Sequence, residues 1–269
     1  MKEDSMKLST YLERLRMDGQ YWLSRKKAIE ILKISDKAFK LSSHRLAIKG
    51  RLKRVRGDFF IIVPPEHHAI GSLPAAWFID ALMNDMEQQY YIGLLTAAAL
   101  RGVAHQQPMT FQVITNKPTR DIVIGEVRIE FHYKNHILQH FYQPQKSISG
   151  TIHVSIPEMI AFDLVRYMNA AGQVNNVATV LYELIDQINP EKLAELLKNG
   201  DVEITSAQRL GYLLDILNLP INLIPLENAL KIVKKISRRL LVIGSDQPII
   251  EYNQRWHINV NEKVEPDEL

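Results

Sequence analysis

The chain has 269 residues, of which 46% are hydrophobic and 23% charged, with a formal net charge of +3. That length admits two domains, and that composition excludes both a disordered chain and a fibrous repeat. There is no cysteine, which removes disulfides, thiolate nucleophiles and cysteine-ligated zinc together. The N-terminus, MKEDSMKLSTYLERL, lacks the apolar core of a signal peptide. No segment approaches the roughly 18 uninterrupted apolar residues of a membrane span. A cytoplasmic protein without a membrane partner is expected.

The small net charge hides a strong asymmetry. Residues 1–65 hold 16 Lys and Arg against 7 Asp and Glu, whereas residues 66–269 hold 17 against 23. Between Ser24 and Arg56 the ratio is 12 to 2, the electrostatic footprint of a module that binds phosphates. A solvated basic face would have the same count, so spacing must decide.

Leu8, Tyr11, Leu12 and Leu15 recur at helical spacing and predict a first helix over Leu8–Met17. After the apolar patch Tyr21, Trp22 and Leu23, Ser24 can cap a second helix from Arg25 to Leu32. Ser35 is a suitable N-cap for a third, Asp36 to Lys49, which Gly50 ends. LKRVRGDFFIIVP then reads as two short strands joined at Arg56, Gly57 and Asp58. Helix, helix, turn, helix and hairpin is the order of a winged helix-turn-helix, expected over residues 1–70. An inward stripe of Ala38, Phe39, Ser42 and Leu46 would leave Lys37, Lys40, Ser43 and His44 facing outward to read base edges. Arg45 and Lys49 would hold phosphates, and Arg54 and Arg56 would carry the wing to the DNA backbone or minor groove.

Residues 71–269 predict a larger domain. Helices are expected at Ala75–Asp85 and along YYIGLLTAAALRGVAH, then strands at 111–115, 122–124, 127–133 and 151–154. From Pro157 the pattern turns helical, over 157–168, 174–188, 190–198, 206–217 and 225–236, before closing strands at 240–243 and 256–260. The fold class is therefore α+β, an N-terminal winged helix-turn-helix followed by a larger mixed α/β domain. Lys231, Lys234, Lys235, Arg238 and Arg239 fall on one side of the last helix if it continues that far, a secondary basic patch for nucleic acid or an acidic partner.

No catalytic constellation stands out. His132, His136 and His140 are four apart, but Val127, Ile129 and Phe131 alternate as in a strand, so the rings should diverge and no metal is expected. Asp121 and Glu130 lack the following lysine of a nuclease acidic pair. Phosphate-loop, zinc-protease, serine-elbow and dinucleotide motifs are missing, so neither cofactor nor enzymatic activity is expected.

Five stretches carry a family likeness: GRLKRVRGDFFIIVP, YYIGLLTAAALRGVAHQQPMTFQVIT, SIPEMIAFDLVRY, RLGYLLDIL and RWHINVN. In these the chain resembles the AbiEi-type antitoxins of bacterial type IV toxin-antitoxin systems. The resemblance implies a winged-helix DNA-binding domain joined to an antitoxin domain. It also implies an autorepressor that binds inverted repeats in its own promoter and counteracts a co-encoded nucleotidyltransferase-like toxin. Family members are described as binding DNA cooperatively with help from the C-terminal domain, a part open to the Lys231–Arg239 stripe in a monomer or weak dimer. The family pattern carries more arginine around residues 115–122, where this chain has Lys117 and Arg120. Rival readings are a DNA-targeted nuclease using Asp121, Glu126 and Glu130, and a one-component regulator whose larger domain binds a ligand.

Overall fold

The computed structural model describes residues 6–103, 108–233 and 236–266. The fold is α+β, and the chain divides into two compact units. The first comprises residues 1–92, 109–137 and 143–153; the second comprises 93–108, 138–142 and 154–269.

The first unit begins with α1 (Leu8–Met17), β1 (Trp22–Ser24), α2 (Arg25–Leu32), α3 (Asp36–Ile48), β2 (Leu52–Arg56) and β3 (Phe59–Ile62). The three strands form an antiparallel sheet in the order β1-β3-β2, so Trp22 and Leu23 of the apolar patch are strand residues. Leu12, Leu23, Ala28, Leu32, Phe39, Leu46 and Leu52 form one core beneath the helices. Each large side chain fully buried there contributes on the order of 1.5–3 kcal/mol. The opposite face of this sheet is buried too, since Phe59 and Ile61 are both fully covered and Phe59 stacks on Trp22.

The same unit continues through α4 (Ile79–Asp85) into a six-stranded mixed sheet of order β6-β7-β5-β4-β9-β8. Its strands are β4 (Tyr90–Ile92), β5 (Phe111–Thr115), β6 (Ile122–Ile124), β7 (Val127–Tyr133), β8 (Tyr142–Ser147) and β9 (Gly150–Ser155). β5 and β7 run parallel, with Phe111 opposite Ile129 and Thr115 opposite Tyr133. The expected helix along YYIGLLTAAAL is thus a strand and then a helix: Tyr90, Tyr91 and Ile92 are buried strand residues, and extended Gly93 (φ −126°) separates them from the helix that begins at Leu94. Aromatic and β-branched residues fit such a pleated, two-sided burial. The units also divide the chain away from residue 70, because residues 71–92, 109–137 and 143–153 belong to the same unit as the N-terminal helices.

The second unit holds α5 (Leu94–Leu100), α6 (Pro157–Arg166), α7 (Gln173–Leu184), α8 (Pro190–Lys198), α9 (Ile204–Ile216) and α10 (Ile224–Ile232). A small sheet β10-β12-β11 closes it, from β10 (Arg239–Leu240), β11 (Glu251–Asn253) and β12 (Ile258–Val260). Every residue of α9 from Ser206 to Leu214 is buried, which makes this helix the axis of the unit. Trp256, fully buried, lies against Gly211 of α9 and donates its indole N–H to Asp215 (3.1 Å). Among the described residues no helix is long and apolar enough to cross a membrane.

Candidate nucleic-acid interface

The turn between α2 and α3 is short and well held. Lys33 ends α2 in a left-handed conformation (φ 51°), and Ile34 N–H donates back to Ile29 carbonyl (3.3 Å). Ser35 Oγ then caps α3 by accepting from Ala38 N–H (3.2 Å), with Asp36 in the first turn where the helix dipole favours an anion. Arg25 at the start of α2 bonds Asp36 and lies 3.5 Å from Asp58 at the wing turn, so one guanidinium ties α2, α3 and the hairpin together. The Arg25 guanidinium and then Lys40 (3.1 Å) hold the Asp36 carboxyl below the usual carboxylate range.

The buried stripe of α3 is Phe39, Ser43 and Leu46, at i, i+4 and i+7. Ser43, expected on the outward face with Lys40 and His44, is instead buried, its hydroxyl donating to Lys40 carbonyl (3.1 Å). The serine pair 42–43 leaves the phase of the helix ambiguous by one position, and internal satisfaction of its hydroxyl lets Ser43 take the buried one. Lys37, Lys40, His44, Arg45 and Lys49 are all exposed. Leu41, 53% exposed, sits among them and has no signal in the sequence, since an apolar residue on a polar face breaks the period. Its surface suits the methyl group of thymine.

The wing carries its two arginines on different sides. A register shift between Arg54 and Arg56 places Arg54 opposite Phe60 and Arg56 opposite Phe59. Directly opposed residues share a sheet face. Phe60 packs edge-on against Phe39 of α3 (5.6 Å), so Arg54 faces the helix and borders a shallow groove with Lys40, His44 and Ala47. Arg54 Nε also donates to Gly57 carbonyl (2.7 Å), bracing the turn. Arg56 turns the other way and donates to the carbonyl of Arg120 (3.4 Å), which brings the exposed Arg120 beside the wing. Distance in sequence conceals that neighbour.

The secondary stripe does not form as one helix face. α10 stops at Ile232, Val233 is extended (ψ 120°), and Ile232 is 68% exposed, so the helix does not reach Ile236. Two consecutive β-branched residues favour that exit. Lys231 pairs with Glu227, Arg238 stacks over the Tyr252 ring (4.1 Å), and Arg239 belongs to β10. Lys234 and Lys235 lie outside the described residues. Among the described residues no three His, Asp or Glu side chains gather to hold a metal. Arg128 lies near both Asp121 (3.5 Å) and Glu130 (3.7 Å), and Asp121 accepts from Phe131 N–H (3.1 Å), so both carboxylates have partners within the sheet.

Residues 91–216 match the family model of the AbiEi antitoxin C-terminal domain. The crystal structure of RV2827C protein from Mycobacterium tuberculosis is similar, with a TM-score of 0.67 and 16% identity over 94% of this chain and 90% of that one. At that identity the likeness is one of fold. No curated protein matches the chain.

Proposed function

We propose that this chain, whose residues 91–216 match the AbiEi antitoxin C-terminal domain, is the antitoxin of a toxin-antitoxin system and also a sequence-specific, DNA-binding autorepressor of a type IV system. An antitoxin has a toxin as its functional partner. In our reading that toxin is nucleotidyltransferase-like and encoded beside it, and the operator is an inverted repeat in the shared promoter.

The observation that carries the DNA reading is the joint presentation of cations by α3 and the wing. Lys37, Lys40 and His44 of α3 are read as base contacts; Arg45 and Lys49 are read as phosphate contacts. Arg54 extends the helix side of the surface, and Arg56 with Arg120 extends it behind the wing. The winged helix-turn-helix element order and the antiparallel three-stranded sheet support this docking. A protein-binding winged helix with the same fold would not need its cations gathered on these two elements.

The test is a mobility shift on DNA from the chain's own promoter against shuffled DNA. Replacing Lys37 and His44 with alanine should weaken promoter binding by about 1–3 kcal/mol per true base contact and leave shuffled DNA nearly unaffected. Promoter affinity unchanged in both variants would refute the docking. The antitoxin part is read separately, by growth rescue on co-expression with the neighbouring toxin.

A further inference from the structure

Arg209 is an unusual residue to find where it is. It lies in the middle of α9, within the buried run from Ser206 to Leu214, and only 6% of its surface is exposed. Its Nε donates to Leu240 carbonyl (3.0 Å). A guanidinium has five N–H groups, and among the described residues the four on the two Nη atoms have no acceptor. The nearby acid, Glu203, is bonded to Arg166 (3.0 Å) with its own side chain 51% exposed. Arg239 adds like charge from the next strand, and burial together with Arg239 depresses the Arg209 pKa. Buried charges are ordinarily paired. Here the two Nη atoms reach solvent and, among the described residues, no acid is bonded to them.

The guanidinium borders a cavity of about 310 Å³ within the second unit. Val165, Met168, Leu241 and Ile243 give it apolar walls, while Tyr167 and Asn169 add polar groups at the side. A volume near the lower end of the roughly 300–1,000 Å³ typical of ligand sites suits one small molecule. A planar fork of N–H groups beside apolar lining side chains matches a carboxylate or a phosphate held on an apolar body. We propose that this cavity is a binding site for a small organic oxyanion, whose head group pairs with Arg209 and whose body packs against Met168, Leu241 and Ile243. All of these residues lie in the second unit, whereas α3 and the hairpin lie in the first.

The experiment uses the full chain with benzoate and phenyl phosphate as probes, benzamide as the uncharged analogue, and chloride at matched ionic strength. Calorimetry gives the affinity and thermal unfolding gives the stabilisation. At least one of the two anions should saturate and raise the melting temperature, by roughly 5–10 °C at a hundredfold excess over Kd; whichever anion binds more tightly identifies the head group. Benzamide and chloride should do neither. Arg209→Gln should weaken anion binding at least tenfold. Should that variant not fold, Ile243→Trp carries the test, because Ile243 is 67% exposed at the rim and a larger ring there closes the cavity without disturbing the core. Failure of both anions to saturate the wild-type chain, or binding that survives Ile243→Trp unchanged, would overturn the proposal.

Discussion

Gly211 is where α9 meets Trp256, and an added methyl group there tests whether RLGYLLDIL and RWHINVN dock as the structure has them. Gly→Ala inside a helix ordinarily stabilises by about 0.5–1 kcal/mol, since alanine has less backbone freedom to lose. At this position the new Cβ would lie 2.2 Å from Trp256 Cε3 and 2.3 Å from Cζ3. The ring cannot step aside easily: it is fully buried, its indole N–H is bonded to Asp215 and its backbone N–H to Asn253 (2.9 Å). Overpacking costs about 1–3 kcal/mol, and contacts this short belong at the upper end, so Gly211→Ala should destabilise by a net ~2 kcal/mol. With Trp256→Leu already present, the methyl group has room and the helix gain of up to ~1 kcal/mol should return. The two substitutions should therefore couple by about 2–3 kcal/mol. Urea unfolding of the wild type, both single variants and the double variant, monitored by circular dichroism, closes the cycle. Additivity within about 0.5 kcal/mol, or a Gly211→Ala protein as stable as the wild type, would refute the packing.

The first unit offers further tests. Replacing Arg45 and Lys49 together with alanine should reduce the slope of log affinity against log salt by roughly 1.8, at about 0.9 for each phosphate contact; anisotropy titrations between low and physiological salt would show it, and an unchanged slope would remove both residues from the interface. Asp36 has its carboxyl pKa depressed by Arg25 and Lys40, so its stabilisation is complete above the ordinary aspartate value and fades as pH falls through the lower folded value. Asp36→Asn should thus melt earlier than the wild type at neutral pH, with the gap closing below about pH 4, and a gap constant down to strong acid would contradict this. Gly125 has φ +57°, and a Cβ there would lie 2.2 Å from Ile70 carbonyl. Gly125→Ala should cost about 2 kcal/mol or more, read as a lower melting temperature.

Where a local signal is strong, the sequence is readable. Ser35 bonds the helix it was expected to cap, and α1, α2 and the hairpin lie within a residue or so of their expected limits, because apolar period and capping chemistry agree there. β8 is invisible for a physical reason: it is an edge strand, YQPQKS, with four of its six residues exposed and a proline in the middle, so it has no alternation to detect. Tyr90–Ile92 cannot be told from a buried helix because both bury every side chain of a short apolar run. Ser43 differs from its expected place by a single step around a helix, which moves one expected contact into the core. Arg120 beside the wing and Arg209 beneath its cavity depend on contacts between distant segments, which no local pattern encodes.

The two sets of cations in this chain should answer to salt to very different extents. Around the first three helices several cations have acid partners: Arg25 pairs with Asp36 and Asp58, Arg51 and Arg16 share Glu13, and Lys40 shares Asp36. Lys37, Arg45 and Lys49 have no acid partner among the described residues, and Arg54 and Arg56 bond only to carbonyls, which leave their charge intact. With Lys37 and Lys40 at base edges, the four phosphate contacts Arg45, Lys49, Arg54 and Arg56 would give a slope of roughly −3.6, so DNA affinity should fall by about 150-fold from 50 to 200 mM salt. Arg209 is buried, and mobile ions screen such a charge far less than one at the surface. Its anion should lose no more than about threefold over the same interval. Equal sensitivity in the two measurements would mean that the anion sits on the surface rather than on Arg209.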